Sequence, residues 1–187
     1  MMSPLFESLV KNSLTVLADE PDDSTAMVWS EAEAFAEMES SEKAIYKLDL
    51  IDKEVLLEDV EDLLTYEGFH KVKELWLDKN EFKDEGVEVL AQSSQIKNLM
   101  VLSLAHNKLS NYSAQALAAS PFLGHLQKLF LQSNRIGLEG LKALTESPVL
   151  ANLQLLYLNL NPVGPAGAGI LGGDSKIKNL RELYLQK

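Results

Sequence analysis

Asparagine recurs at positions 80, 107, 134 and 161, always 27 residues apart and always inside the same phrase. The phrase is L-x-x-L-x-L-x-x-N-x-L, with apolar substitutes, in the segments starting at Val72, Leu99, Leu126 and Leu153. One period earlier, the segment starting at Ile45 has Lys53 where the asparagine would stand. One period later, Leu180 opens a copy that runs to Lys187. Other columns keep the same step: Leu63, Leu90, Leu117, Leu144 and Leu171 form one, and Phe69, Ile96, Leu123, Leu150 and Ile177 another. Gly86, Gly140 and Gly167 form a third, with Asp59 and Ser113 in the remaining places. A period of this length means stacked units that bury their apolar sides only against each other.

Each column has a physical reading. In L-x-x-L-x-L the last two leucines alternate with their neighbours, as a strand with one buried face requires. A turn follows, then a stretch with apolar residues at helical spacing, such as Asp84–Ser93 or Ser113–Ala119. Strand, helix and the next parallel strand make a right-handed crossover. Repetition predicts an α/β solenoid, a horseshoe arc with a parallel sheet on the concave face and helices on the convex face. The amides of Asn80, Asn107, Asn134 and Asn161 are expected to form a structural ladder, bonding backbone groups of their own turn and of the next coil. The glycine column marks a tight entry into each helix.

The motif, the period and runs such as Gly140–Leu155 and Ala116–Leu129 resemble the ribonuclease-inhibitor-like class of leucine-rich repeats. The resemblance implies a horseshoe that binds proteins, in a class whose members include inhibitors, GTPase regulators, sensors and secreted effectors. Mammalian ribonuclease inhibitors share the repeat type but are rich in cysteine; this chain has none.

Residues 45–187 are thus assigned to the repeats, about five coils and a final strand, and residues 1–44 to a helical cap or appendage. Leu5, Phe6, Leu9, Leu14 and Leu17 have roughly helical spacing after Ser3 and Pro4. Glu20–Ser24 breaks that run, and a second helix is expected over Thr25–Met38. The segment would cover the first coil or act as a docking or targeting element. At the other end, the last strand would have a free edge. A longer array, a tolerated terminus or a dimer through that edge would each account for it.

The period also names the open inner wall. Between the motif leucines stand Asp49, Trp76, Ser103, Phe130, Tyr157 and Tyr184, expected to point away from the core. Four of these six are aromatic, in a chain only 7% aromatic. Asp78, Ala105, Gln132, Asn159 and Gln186 lie on one side of them, and Glu74, Val101, Lys128, Leu155 and Glu182 on the other. Aromatic anchors on a rigid, solvent-facing surface are what protein interfaces use as hot spots. The candidate partner-binding residues are therefore Trp76, Asp78, Ser103, Phe130, Gln132, Tyr157, Asn159 and Tyr184. The competing reading is that large residues only stack across parallel strands and stabilise the sheet.

Charge bounds the partner. Residues 1–44 carry 10 acidic and 2 basic groups, residues 45–90 carry 14 and 6, and residues 91–187 carry 4 and 9, for a net charge of -11. The acidic first half disfavours nucleic acid and favours a basic protein surface. It would equally keep a monomer dispersed in water. Without cysteine there is no disulfide framework, thiolate metal site or thiol chemistry. His70, His106 and His125 are too scattered for a metal cluster, so no metal or cofactor is expected. No stretch is apolar for long enough to span a membrane. Met1–Glu20 lacks the basic start and unbroken apolar run of a secretory signal, which reads as cytoplasmic; translocation as an effector stays open.

Catalysis has one candidate constellation. Lys79, His106 and Ser133 share a column on adjacent coils, with Asp78 nearby. The column also holds Asp52 and Leu160, and neither a nucleophile elbow nor oxyanion donors accompany it. Gly164–Gly173 is glycine-rich but lacks a nucleotide loop's lysine and spacing. The chain reads as a non-catalytic binding module. The alternatives are a GTPase-regulating protein, for which Arg135 and Arg181 are the available arginines, a secreted effector, or a self-associating structural unit.

Overall fold

The computed structural model describes residues 4–17, 45–81, 83–170 and 175–186. Six strands run parallel in chain order: β2 (Ile45–Asp49), β3 (Val72–Trp76), β4 (Val101–Ser103), β5 (Lys128–Phe130), β6 (Leu155–Tyr157) and β7 (Glu182–Tyr184). From β3 onward the register advances by one period per strand, so that Trp76 lies opposite Ser103, Ser103 opposite Phe130, Phe130 opposite Tyr157 and Tyr157 opposite Tyr184. Coils of equal length leave no other register open. The chain forms a leucine-rich-repeat solenoid with an open sheet.

Helices return the chain on the outer side: α2 (Leu57–Leu64), α3 (Lys83–Gln92), α4 (Asn111–Ala119), α5 (Leu138–Glu146) and α6 (Gly167–Ile170), following α1 (Pro4–Asn12) at the N-terminus. Between strands and helices lies a continuous core in which Leu75, Leu102, Leu129 and Leu156 from the sheet meet Val60, Leu90, Leu117 and Leu144 from the helices, each fully buried. Burying side chains of this size is the main force that holds coil to coil.

The N-terminal segment departs from the helical reading. Among the described residues before β2, Pro4–Asn12 is helical and Leu14–Leu17 form β1, which pairs antiparallel with β2, Leu14 opposite Leu48 and Leu17 opposite Ile45. Two physical facts favour the strand. Thr15 and Val16 are β-branched, and the edge of β2 offers backbone groups that pair with an extended chain. Val10 of α1 is buried in the core, so helix and strand together close the first coil. The second helix expected over Thr25–Met38 lies outside the described residues.

The four asparagines hold the turns. The amide of Asn134 donates to the carbonyls of Leu104 and Leu131 at 2.9 and 3.0 Å, and its Oδ1 accepts from the N–H groups of Asn107 and Leu109, both at 3.0 Å. Asn80 makes the same set with the first coil, accepting from Lys53 and Val55. The bonds reach the coil before, not the coil after as expected: each asparagine closes the end of its predecessor, whose backbone groups are otherwise without partners.

The glycine column has a packing cause. A Cβ on Gly140 would stand 2.6 Å from Ile136 Cγ2 and 3.1 Å from Ala114 Cβ. One on Gly167 would stand 2.3 Å from Val163 Cγ1. These glycines let each helix sit close against its own turn and, at Gly140, against the helix before.

Candidate functional site: the concave face

The rings of Trp76, Phe130, Tyr157 and Tyr184 form one stack along the inner wall. Centroids are 5.5 Å apart for Trp76–Phe130, 5.2 Å for Phe130–Tyr157 and 4.1 Å for Tyr157–Tyr184, with interplanar angles of 29°, 26° and 11°. The first three are half-buried and Tyr184 is 42% exposed. Offset stacking of this kind fixes each ring before any partner arrives.

The strand geometry explains one correction. Ser103 belongs to the same row and was expected on the surface, yet it is fully buried, and Val101 and Ala105 beside it are buried as well. Trp76 and Phe130 sit on β3 and β5, two strands apart, so their backbones are separated by about twice the ~4.8 Å strand spacing. Their rings nevertheless stack at 5.5 Å. They lean toward each other over the small serine and close it off from solvent. Beneath them the Ser103 hydroxyl donates to Asp78 Oδ1, which also accepts from the N–H of Ala105 at 2.8 Å.

Asp78 is half-buried after the end of β3. Burial raises its pKa above the ordinary carboxylate value, against the opposing pull of Ser103, the Ala105 N–H and nearby His106. Next to Trp76, Glu74 Oε2 accepts from the indole N–H at 3.3 Å. On the other flank Lys47 places Nζ 4.9 Å from the Trp76 ring centroid and 3.0 Å from Asp49 Oδ2. At the far end, Tyr184 donates to Glu182 Oε2 at 3.0 Å. Hydrogen bonding with Tyr157, then with Glu182, pushes the Tyr184 phenol up to about 12. Gln132 and Asn159 are half-buried beside the rings, and Gln132 Oε1 and Asn159 Oδ1 are buried without a hydrogen-bond partner.

The Lys79, His106 and Ser133 column has a backbone role. These residues, with Asp52 and Leu160, all adopt the left-handed conformation at φ of 57–60°. Each donates its N–H to a carbonyl of the following coil, as Lys79 does to Ala105 and His106 to Gln132. The shared geometry is that of a turn, and it accommodates five residue types. Arg135 and Arg181 are not brought together: Arg135 lies in the turn past the C-terminal end of β5, and Arg181 precedes the N-terminal end of β7.

Three further columns escaped the sequence reading although the period marks them. Asn98, Asn152 and Asn179 donate side-chain N–H to His70, Gly124 and Ala151 carbonyls at 2.7–2.9 Å, one coil back. With His125, Gln127 and Gln154 they line a polar groove of about 540 Å³ at the N-terminal ends of the strands, away from the rings. The hydroxyls of Ser120 and Ser147 donate to the Ala91 and Ala118 carbonyls near the end of the preceding helix. Asp84 accepts from the backbone N–H of Ser110 at 2.9 Å and from the hydroxyls of Ser110 and Ser113, and Asn111 Oδ1 accepts from Gly137 and Gly140 N–H at 2.7 and 3.1 Å. Each of these two caps the helix of the next coil.

Comparison with known proteins agrees with this architecture. The family model described as Leucine Rich repeat matches residues 70–91 and 125–144. No curated protein matches the sequence. Among solved structures, internalin C2 from Listeria monocytogenes str. 4b F2365 is similar at 25% identity with a TM-score of 0.52, covering 75% of this chain and 51% of that one. This chain therefore spans about half the length of internalin C2. Actin-binding site 2 of leiomodin-1 shares the fold at 18% identity and a TM-score of 0.51, covering 70% of this chain and 77% of that one. No helix among the described residues is long and apolar enough to cross a membrane.

Proposed function

We propose that this chain is a non-catalytic protein-binding module whose partner lies along the concave face, against Trp76, Phe130, Tyr157 and Tyr184. Asp78, Gln132 and Asn159 border that contact, and Ser103 supports it from below. The observation that carries the reading is the ring stack itself. Four aromatic side chains are held in fixed positions on an open wall, partly exposed and outside the hydrophobic core. Rigid aromatic groups lose little entropy on binding, which suits them as anchors.

Leucine-rich-repeat proteins commonly act by binding other proteins, and the leiomodin-1 segment that shares this fold is an actin-binding site. On this reading the repeats, residues 45–187, form the module and residues 1–44 cap or accompany it, in the cytoplasm. The ribonuclease-inhibitor-like subtype is supported by the 27-residue period and by the nine- and ten-residue α-helices α3, α4 and α5.

The test is affinity purification followed by binding of the isolated partner to the wild type and to a triple variant, Trp76→Ala with Phe130→Ala and Tyr157→Ala. Circular dichroism confirms that both are folded. The module reading expects at least a tenfold loss of affinity, since truncating one hot-spot residue costs about 2 kcal/mol or more. Unchanged affinity in the folded variant contradicts it.

A further inference from the structure

The row beside the rings is rich in hydrogen-bond acceptors that have no cationic partner. Asp78 accepts from one hydroxyl and one N–H, and no lysine or arginine among the described residues pairs with it. Glu74 and Glu182 each accept from an aromatic residue of their own strand, Trp76 and Tyr184, and likewise have no ion-pair partner among the described residues. Gln132 Oε1 and Asn159 Oδ1, on neighbouring coils, have no donor at all. A buried acceptor without a donor is unfavourable, and a half-buried carboxylate without a cation is more so. Turning the terminal torsion of Gln132 or Asn159 presents its oxygen to a donor arriving from the open side.

Lys47 shows what this wall accommodates. Its ammonium lies between a ring, Trp76, and a carboxylate, Asp49. A ring and a carboxylate are paired again at Tyr184 with Glu182, where no cation among the described residues joins them. Charge favours a basic partner at the Asp78 end of the wall, where residues 45–90 carry 14 acidic and 6 basic groups and speed encounter.

We propose that the concave face receives an arginine-bearing segment of its protein partner, whose guanidinium groups donate to Asp78, Gln132 Oε1 and Asn159 Oδ1 while their methylene stems lie on the rings. This rests on the module reading above and names the chemistry of the partner. Arginine fits better than lysine because its planar fork carries five donors and can reach acceptors on two adjacent coils at once. Lysine offers a compact, strongly hydrated charge in place of that fork.

The test is calorimetric titration of the full chain with an eleven-residue peptide of alternating arginine and alanine. Controls are the same peptide with citrulline or lysine at each arginine position. Citrulline keeps the shape and removes the charge. The arginine peptide should bind roughly tenfold tighter than the citrulline peptide, the scale expected of charge-assisted hydrogen bonds, and tighter than the lysine peptide. Asp78→Asn should remove most of that preference. Glu139→Gln, which deletes one exposed charge on α5, should leave it intact. Equal binding of arginine and citrulline peptides, absence of binding, or equal losses from Asp78→Asn and Glu139→Gln overturns the proposal. If the arginine preference is missing while a purified partner still depends on the rings, this inference falls alone. If ring dependence is missing, the reading beneath it falls too.

Discussion

The rings of Trp76 and Phe130 stack at 5.5 Å although the strands that carry them are not neighbours. Ser103, on the strand between, is fully buried under the pair and bonds Asp78. A larger side chain at 103 cannot remain there. Ser103→Leu should separate the rings, break the bond to Asp78 and destabilise the fold by about 1–3 kcal/mol, the usual scale for overpacking. Urea unfolding gives the stability, and the near-ultraviolet circular dichroism of the aromatic residues reports the lost stack.

Two residues of one turn should differ sharply in what their removal costs. Asn134 joins two carbonyls and two N–H groups at 2.9–3.0 Å. Asn134→Ala strands several buried backbone groups and should cost about 3 kcal/mol or more. Gln132 leaves its own side-chain oxygen without a partner, so Gln132→Ala should change stability by less than about 0.5 kcal/mol. Chemical denaturation of the two variants in parallel measures the difference.

Helix packing gives a second contrasting pair. Gly140→Ala places a Cβ 2.6 Å from Ile136 Cγ2 and 2.8 Å from Asn111 Oδ1, and should cost about 1–3 kcal/mol. Gly124→Ala meets nothing within 4 Å and should be neutral or slightly stabilising, through the lower entropy of the unfolded chain. Thermal melts of both separate a packing role from a conformational one.

Asp78 should make stability depend on pH in the direction opposite to most carboxylates. Burial holds its pKa above the ordinary value in the folded state. The folded chain therefore binds this proton more tightly than the unfolded chain. Its contribution is full below the unfolded pKa and is lost as pH rises through the folded one. Asp78→Asn keeps an oxygen for Ser103 and Ala105 and removes the charge. The variant should be at least as stable as the wild type at pH 7 and should lack that part of the decline. Unfolding free energies measured from mildly acidic to neutral pH check the sign.

Core and wall should separate cleanly. Leu131 is fully buried, so Leu131→Asp places a charge where neither water nor a cation reaches it and should unfold the coil. Trp76→Ala removes a half-buried ring and should cost less than truncation of a core aromatic, which is about 3–5 kcal/mol. Far-ultraviolet circular dichroism distinguishes the two directly.

Much of this architecture is legible in the sequence because the unit length never changes. A constant 27-residue step places every column, and with it the strand register, the asparagine turns and the row of Trp76, Phe130, Tyr157 and Tyr184. What alternation gives is the face a residue points to, not how far its neighbours lean. That is why the burial of Ser103 was invisible: it depends on two rings meeting across an intervening strand. Leu14–Leu17 was misread because four residues with mixed apolar spacing fit a helix or a strand, and the deciding partner, β2, lies more than 25 residues away. The left-handed column from Asp52 to Leu160 left no compositional trace, since bonds to the next coil, not residue preference, impose it. The carboxamide column of Asn98, Asn152 and Asn179 was in plain view, but its role follows only from carbonyls left open one coil back.

Hydrogen–deuterium exchange of the chain with and without its purified partner tests the concave-face reading most directly. The account predicts that binding slows exchange in the segments carrying β3, β5 and β6 and the turns after them, from Asp78 to Asn159, while peptides from α3, α4 and α5 exchange as before. Protection confined to those helices, with the strand segments unchanged, would place the partner on the outer side and contradict it.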